Sequence, residues 1–395
     1  MGSPLDVGKL EQYLKAPTHN SQTVLGLTPI EFVSPITVKQ FRFGQSNPTY
    51  YLKDANGREA VLRRKPIQNS KLVSKSAHAV EREFYLLRGI GIANQKNARK
   101  VPIPQTYLLC EDELVIGYVF YVMEFINGKA IKVPEMPGIP EEQQLKYWDS
   151  IMETLAAIHS LDAVELIKTL PATHFPQFQL DKVEKLSSST YFERQVRTML
   201  AVSKKQSQTV DPIPHFDFIC QWILNRAPQD PNNLTLVHGD FKIDNLLFDD
   251  EKVVTVLDWE LCTFGHPIFD LSNFLQSYDL PKDLNAMFYN DPDVQVGKEL
   301  KQSTEKLARE LRLYQSKYGR STWKDNDPKN NPLDLWPVGF VFGLLRLCVI
   351  SQGIAMRSKG GTASSAQAQA FGLMYPFLAD LTKKHIEEVE AGSKL

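Results

Sequence analysis

Three side chains with a distinctive spacing could carry out chemistry in this sequence. Asp240 lies five residues before Asn245 in the stretch HGDFKIDN, and Asp258 follows after two strand-like segments. Asp240 could accept the proton of a substrate hydroxyl or orient that hydroxyl. Asn245 and Asp258 supply the hard oxygen ligands that Mg²⁺ prefers, and this cation takes further ligands from nucleotide phosphates. The pattern therefore predicts phosphoryl transfer.

The same stretch has the H-x-D-x-x-x-x-N spacing of a kinase catalytic loop. Phosphoryl transfer asks a protein mainly to position groups and to neutralise charge, so few residue types recur. Lys242 projects from this loop and could neutralise the transferring phosphoryl oxygens. We expect His238 to brace the loop by hydrogen bonding rather than to act as a base. A capped turn would explain HGD alone, but not this spacing followed by a strand that ends in Asp258.

A second group of charges precedes the catalytic loop by more than a hundred residues. In AVLRR a strand ends in cations, and strand alternation turns Arg63 and Lys65 to one face. We expect Arg63 to contact the α and β phosphates of a nucleotide, with Lys65 as its rival. Glu83 on the following helix is the expected ion-pair partner, with Glu81 as the alternative. Taken singly, each charge is better explained by a solvated surface.

Two further stretches would complete a nucleotide site. FGQSNPTYYL lies between the first two strands, where a phosphate-covering loop belongs, although its single glycine fails the G-x-G-x-x-G pattern. Gly44, Ser46 and Asn47 could present backbone or side-chain donors to phosphate. VMEFINGKA would be the hinge, whose backbone groups at Glu124 and Ile126 could meet an adenine edge.

The elements that must position these residues are of two kinds. Strand-like runs around a hairpin signal at Asn56-Gly57, together with one clear helix, occupy residues 1–125. Amphipathic helical segments dominate residues 126–395, apart from two short strands around the catalytic loop. We therefore expect an α+β protein with a small mixed β-sheet N-lobe for the nucleotide and a larger, mostly helical C-lobe for the catalytic loop, metal and acceptor.

The composition of the chain excludes several classes of function. Its 45 Lys+Arg against 46 Asp+Glu leave a net charge of -1, so no global field would recruit nucleic acid or a membrane surface. Four dispersed cysteines without a C-x-x-C pair predict neither a disulfide framework nor a structural zinc site. The start lacks the pattern of a secretory signal. The longest apolar stretch, residues 336–350, carries Arg346 and is short for a bilayer span, which predicts a buried helix.

The sequence closes with Ser393, Lys394 and Leu395. A carboxy-terminal S-K-L is bound by a peroxisomal import receptor, which needs these side chains and a free terminal carboxylate. Ala391 and Gly392 before it would release the tripeptide from the preceding helix. We therefore expect a peroxisomal protein with the import receptor as a partner. The alternative is a frayed helix end on a cytoplasmic protein.

Six stretches in order carry a resemblance to known proteins. They run from residue 43 to residue 274 and read FGQSNPTYYL, VLRRKP, SAHAVEREF, YFERQV, LVHGDFKIDNLLF and VLDWELCTFGHPIFDLSNF. Through them the chain resembles aminoglycoside-phosphotransferase-like, or choline-kinase-like, small-molecule kinases. More narrowly, it resembles the kinase-like domain that precedes the dehydrogenase module in acyl-CoA dehydrogenase family members ten and eleven. It differs in stopping where that module would begin and in placing His266 at an otherwise acidic position.

This resemblance implies a fold, an activity and a substrate class. The fold would be bilobal and protein-kinase-like, with ATP as the phosphoryl donor. Asp240 would be the base, Asn245 and Asp258 would bind Mg²⁺, and Asp270 would be a buried brace for the catalytic loop. Kinase domains of this subgroup act on 4-hydroxyacyl-CoA and make a phosphate ester that the dehydrogenase module eliminates. A separate protein would then perform the elimination here.

The acceptor site is the part of the resemblance with the most alternatives. Tyr191, Arg194 and Gln195 match the Y-x-E-R-Q helix of that subgroup, which implies contact with the acceptor; an ordinary exposed helix is the alternative. The acceptor could also be an amino alcohol, a sugar or a xenobiotic. A nucleotide-binding pseudokinase scaffold is a third hypothesis. It predicts the loss of the base or of a metal ligand, and the sequence retains both.

Overall fold

The computed structural model describes most of the chain and divides it into two compact units. The described residues are 5–15, 30–41, 47–66, 79–185, 189–289, 291–360 and 366–392. The first unit consists of Met1–Ile131, Leu161–Val183 and Asp244–Cys262, and the second of Lys132–Ser160, Glu184–Ile243 and Thr263–Leu395. The predicted N-lobe lies within the first unit, which also takes up two later segments; the division at residue 125 stays a prediction.

The described residues form α-helices and short β-strands. The helices are α1 Val7–Lys15, α2 Val80–Lys96, α3 Glu141–His159, α4 Ala163–Thr169, α5 Leu180–Lys185, α6 Tyr191–Gln206, α7 Phe216–Arg226, α8 Ile268–Leu275, α9 Lys282–Tyr289, α10 Lys301–Tyr318, α11 Pro332–Lys359, α12 Ala366–Gly372 and α13 Tyr375–Glu390. The strands are β1 Thr37–Gln40, β2 Thr49–Lys53, β3 Glu59–Arg64, β4 Thr106–Cys110, β5 Phe120–Glu124, β6 Lys129–Ala130, β7 Thr235–Val237, β8 Leu246–Asp249, β9 Lys252–Val256 and β10 Thr263–Gly265.

A five-stranded sheet organises the first unit. Its strands lie in the order β1-β2-β3-β5-β4, and every neighbouring pair is antiparallel. β2 and β3 form the predicted hairpin, in which Gly57 adopts φ +82°, a left-handed conformation that glycine accepts without steric strain. Leu10 of α1 packs with Leu52 and Phe120 of the sheet in a buried apolar core.

Two further elements of the first unit carry candidate site residues. α2 buries Val80, Phe84 and Leu87, which are four and three residues apart and so lie on one face of the helix. This face packs on β4 and β5, which fixes Glu83 in the first turn of α2. A separate antiparallel sheet, β6-β8-β9, contains the hairpin β8-β9, which lies between the predicted metal ligands Asn245 and Asp258 in the sequence.

The long helix α11 lies at the centre of the second unit. It contacts α6, α7, α8, α10, α12 and α13. Asn331 caps its start by accepting hydrogen bonds from the backbone N–H groups of Leu333 and Asp334. Among the described residues, α11 is the one helix that is long and apolar enough to cross a bilayer. Within its most apolar 18-residue stretch, 61% is buried inside the protein. That burial is what a core helix requires.

A two-stranded ladder in the second unit leads into the catalytic loop. β7 and β10 pair antiparallel, with Val237 opposite Thr263. The chain leaves β7 directly into His238 and leaves β10 at Gly265, shortly before α8 begins. The ladder therefore brings the start of the loop close to the first turn of α8.

Candidate active site

The boundary between the two units falls within the catalytic loop, between Ile243 and Asp244. In the second unit, the Asp270 carboxylate on α8 is fully buried and accepts the backbone N–H groups of His238 at 2.7 Å and Gly239 at 2.9 Å. The backbone N–H of Asp240 donates to Nδ1 of His238 at 3.2 Å. Three hydrogen bonds thus fix the backbone that leads to Asp240. The His238 ring accepts one of them, the bond from the Asp240 N–H.

The side chain of Asp240 remains accessible although its backbone is fixed. It is 25% exposed, and Nζ of Lys242 lies 3.5 Å from its Oδ2 atom. Lys242 is itself half-exposed, so this ion pair is solvated and contributes little to stability. The arrangement leaves a carboxylate and an ammonium group side by side on a braced loop, which suits a proton acceptor next to a site of developing negative charge.

Asp270 also accepts a hydrogen bond from a chain of three buried, hydrogen-bonded side chains, which the sequence did not predict. Nε2 of His159 on α3 donates to Oδ2 of Asp270 at 3.2 Å. Nδ1 of His159 accepts the Tyr314 hydroxyl at 2.8 Å, and Nε1 of Trp323 donates to the Tyr314 oxygen at 3.4 Å. The available signal was a histidine on the buried face of an amphipathic helix, since a buried imidazole needs partners for both nitrogens.

His266 takes a structural position at the start of α8. Its Nδ1 atom accepts the backbone N–H of Ile268 at 3.2 Å, and its Nε2 atom donates to Oδ1 of Asn330 at 3.1 Å. Burial lowers the pKa of His266 to about 3, so the imidazole is neutral at physiological pH. A neutral ring can accept at Nδ1, and His266 therefore caps the helix that carries Asp270.

Acidification should destabilise the protein through His266. Because the pKa of this histidine falls from 6.5 to about 3 on folding, the unfolded chain binds its proton first. The free energy of unfolding should then drop by about 1.4 kcal/mol for each pH unit below 6.5, down to the folded pKa. Urea unfolding at several pH values measures this slope. His266→Asn keeps an acceptor for the Ile268 N–H and should reduce the dependence of the unfolding free energy on pH. His215→Asn changes an exposed histidine and should leave this dependence as in the wild type. Equal pH dependence in the wild type and both variants would show that His266 is not the group responsible.

In the first unit, a hairpin brings the two predicted metal ligands together. Leu246 at the start of β8 is paired with Val256 near the end of β9, and the backbone N–H of Leu257 donates to the carbonyl of Asn245 at 2.8 Å. Asp258 follows with a left-handed φ of +64°, which few non-glycine residues adopt. One amide and one carboxylate form a donor set that fits Mg²⁺, since this cation keeps waters and takes phosphate oxygens as its other ligands.

Arg63 joins two carboxylates in the same unit. Its Nη1 atom lies 2.9 Å from Oε1 of Glu83 and its Nη2 atom lies 2.7 Å from Oδ1 of Asp258. Burial alone would lower the pKa of Arg63, but the charges of its neighbours raise it above its usual value, so the guanidinium stays charged. Burial raises the pKa of the Glu83 carboxyl, and Arg63 opposes that shift.

The two predicted cations at the end of β3 and the two acids in the first turn of α2 form two separate ion pairs. Lys65 pairs with Glu81 at 2.6 Å, beside the Arg63 and Glu83 pair. The side chains of Arg63 and Glu83 are 12% and 2% exposed, while those of Lys65 and Glu81 are 24% and 12% exposed. Arg63 is therefore the more deeply buried cation and the one next to a predicted metal ligand. Its contact with nucleotide phosphates stays a prediction.

The other predicted nucleotide contacts are less defined. Asn47 is buried, and its Nδ2 atom donates to Oε2 of Glu260 at 3.2 Å. The backbone N–H of Glu124 donates to the carbonyl of Gln105 at 2.8 Å, and Ile126 is half-buried just after β5. Gly44 and Ser46 lie outside the described residues, as do Ser393, Lys394 and Leu395 at the carboxy terminus. All of these assignments stay predictions.

The three predicted acceptor residues lie in the first turns of α6 in the second unit. Tyr191 is 2% exposed, and its ring packs against Phe269. It also lies against Gly265, where a Cβ atom would come within 2.5 Å of the ring. Arg194 contacts Asp230 at 3.4 Å and Gln195 is half-buried. Tyr191 is thus a packing residue here, and the contact of all three residues with an acceptor stays a prediction.

Comparison with known proteins gives close matches along the chain. Residues 37–312 match the model of the phosphotransferase enzyme family. Acyl-CoA dehydrogenase family member 10 of Mus musculus is 34% identical over 384 residues, which cover 96% of this chain and 31% of that protein. Member 11 of Rattus norvegicus is 33% identical over 333 residues, covering 84% of this chain and 38% of that protein. The chain spans about a third of the length of these relatives.

Solved structures show the same fold. A putative aminoglycoside phosphotransferase from Ralstonia eutropha JMP134 matches with a TM-score of 0.66 and 26% identity over 98% of this chain and 99% of that one. An ethanolamine kinase from Plasmodium vivax, at 14% identity, matches in fold with a TM-score of 0.56 over 95% and 94% of the two chains. The predicted α+β kinase-like fold is confirmed. The matched segment contains Arg63, Asp240 and Asp270, and the chain belongs to the phosphotransferase enzyme family.

Proposed function

We propose that this kinase uses ATP and Mg²⁺ to phosphorylate the hydroxyl of a 4-hydroxyacyl-CoA. The observation that carries the acyl-CoA acceptor is the match over 96% of the chain to a protein named acyl-CoA dehydrogenase family member 10. The phosphate ester so formed would be a substrate for an elimination reaction.

The residues of each unit have distinct tasks in this proposal. Asp240 accepts the hydroxyl proton as the acceptor oxygen bonds to the γ-phosphorus and the bond from that phosphorus to the β–γ bridging oxygen breaks. Lys242 neutralises negative charge on the transferring group. Asn245 and Asp258 would hold Mg²⁺, and the chemistry that this ion supplies when bound is neutralisation of phosphate charge. ADP and the phosphate ester are the products.

The surface of α6 favours an anionic acceptor over a cationic amino alcohol. Its basic residues are Arg194, Arg197, Lys204 and Lys205. Its acidic residue, Glu193, is engaged in a capping box with Thr190 at the start of the helix. A cavity of about 640 Å³ opens beside its second half, with Lys204, Asp217 and apolar side chains such as Ile213 and Phe216 in its wall. Cations next to an apolar cavity suit an acyl chain that carries phosphate groups.

A panel of acceptors tests the substrate. Purified protein, ATP and Mg²⁺ are incubated with 4-hydroxyacyl-CoA of several chain lengths, with free hydroxy acids, and with choline, ethanolamine and aminoglycosides. Mass spectrometry should detect a phosphorylated thioester. Lys204→Glu should raise the KM for the thioester severalfold, while Lys383→Glu on α13 serves as the charge-matched control. Phosphorylation of the amino alcohols or aminoglycosides alone would reject the acyl-CoA assignment.

We also propose import into peroxisomes through Ser393, Lys394 and Leu395. This proposal is supported by the tripeptide itself and by a substrate class that belongs to fatty-acid catabolism. Helix α13 ends at Glu390, whose carboxylate accepts a hydrogen bond of 2.8 Å from Nε1 of Trp222. A fluorescent protein fused in front of the chain should give punctate fluorescence, and deletion of Leu395 should make it diffuse. Punctate fluorescence after the deletion would refute the address.

A further inference from the structure

One side chain of the apolar helix α11 reaches the catalytic loop. Nη2 of Arg346 donates to the carbonyl of Gly239 at 3.1 Å, and Nη1 donates to Oδ1 of Asn273 at 3.3 Å. Nδ2 of Asn273 in turn donates to the carbonyl of Phe241 at 3.1 Å. The carbonyl groups of the residues before and after Asp240 are therefore held by two side chains that contact each other.

The contact of Arg346 completes the restraint on one peptide group. The carbonyl of Gly239 and the N–H of Asp240 belong to the same planar peptide unit. Nδ1 of His238 accepts a hydrogen bond from the N–H of this peptide unit at 3.2 Å, and Nη2 of Arg346 donates to its carbonyl oxygen at 3.1 Å. Both ends of the peptide plane are therefore fixed. Gly239 has φ +85°, a region in which glycine has wide freedom and the plane could otherwise rotate. The orientation of this plane sets the direction of the Asp240 side chain.

The surroundings of Arg346 show that its charge is held in place. Its neighbours on α11, Leu344 and Leu345, are buried, and its guanidinium lies over the Phe269 ring with 5.0 Å between the guanidinium carbon and the ring centroid. A cation in an apolar core helix is costly unless it has partners. Arg346 finds them in two acceptors and one aromatic face.

We propose that Arg346 is a positioning residue for phosphoryl transfer, which holds the peptide plane between Gly239 and Asp240 and thereby aims the Asp240 carboxylate. Asp270 fixes the N–H groups at the start of the loop, while Arg346 and Asn273 fix the carbonyl groups around Asp240. Arg346 acts through Asp240 and does not itself contact the substrate. This role rests on the proposed function of Asp240 and is independent of which acceptor is phosphorylated.

Substitution of Arg346 should separate turnover from binding. Arg346→Met keeps most of the side-chain volume but removes the donors, and kcat should fall about 10- to 100-fold because a misaimed group loses the advantage of orientation. The KM values for ATP and acceptor should change less than about threefold. Arg346→Lys retains a donor and should recover part of kcat. Arg357→Met, at an exposed arginine of the same helix, should match the wild type.

Hydrogen exchange followed by mass spectrometry tests the same role without any acceptor. In Arg346→Met, amides of the peptide that contains Gly239 and Asp240 should exchange faster, while peptides from α11 keep their protection. If the wild type phosphorylates no hydroxyl compound, the proposed function fails, and exchange still decides the role of Arg346. Unchanged exchange in this loop would overturn the inference, and so would a wild-type kcat in the methionine variant.

Discussion

Replacing Asp240 with Asn should lower kcat by about 10²- to 10⁴-fold while the affinity for ATP changes little. The amide has nearly the same shape as the carboxylate but cannot accept the hydroxyl proton. Its backbone N–H still donates to Nδ1 of His238, and the side chain is 25% exposed, so we expect the variant to fold. ATP consumption with the acceptor measures kcat, and titration calorimetry measures nucleotide binding.

A matched substitution separates this loss from a general effect on the hairpin that follows. Asp249→Asn removes an exposed carboxylate at the end of β8, outside the loop, and should retain wild-type turnover. Thermal unfolding of both variants shows whether either change disturbs folding. Wild-type turnover in Asp240→Asn would mean that another group accepts the proton.

Replacing Arg63 with Met should produce the largest loss of stability. Glu83 is 2% exposed, and its Oε1 atom accepts from Arg63 at 2.9 Å and from the backbone N–H of Trp259 at 3.3 Å. Without the guanidinium, a buried carboxylate loses its counter-charge, which costs about 3–5 kcal/mol. The affinity for ATP should fall in the same variant. Urea unfolding and nucleotide titration measure the two effects.

Two further variants distinguish the charge effect from packing. In Arg63→Met combined with Glu83→Gln, neither buried charge remains, so most of the stability should return while nucleotide affinity stays low. Lys65→Met breaks the more exposed pair with Glu81 and should cost no more than about 1 kcal/mol. The loss of unfolding free energy caused by Arg63→Met should also become smaller as the pH falls, because protonated Glu83 carries no charge. A loss of ATP affinity in Lys65→Met alone would assign the phosphate contact to Lys65.

Sequence reasoning was most effective where chemistry and geometry are local. Asp240, Asn245 and Asp258 lie within one short stretch, and phosphoryl transfer permits few residue types there. The kinase-like fold and the phosphotransferase family followed from this stretch and from the resemblance, and both are confirmed. The hairpin at Asn56-Gly57 was predictable because its turn residues determine the backbone.

The supporting residues could not be predicted because their partners are distant in the chain. Arg346 binds a carbonyl 107 residues away, and His159 meets Asp270 across 111 residues. Each appears in the sequence only as a polar residue among apolar ones, a pattern that does not name its partner. Tyr191 likewise gave no sign that its ring packs beside Gly265, since helical spacing does not tell which neighbour covers a face. Short strands such as β6 and β10 are too brief for periodicity to reveal.

The division of the chain also sets an order of events during protein synthesis. Arg63 leaves the ribosome 195 residues before Asp258, its partner in the same unit. β6 pairs with β8, which belongs to the late segment Asp244–Cys262 of the first unit. The growing chain therefore carries an incomplete first unit, which lacks the Asp258 partner of Arg63, until residue 262 emerges. A nascent chain stopped at Ile131 should be far more sensitive to protease than one released beyond Cys262.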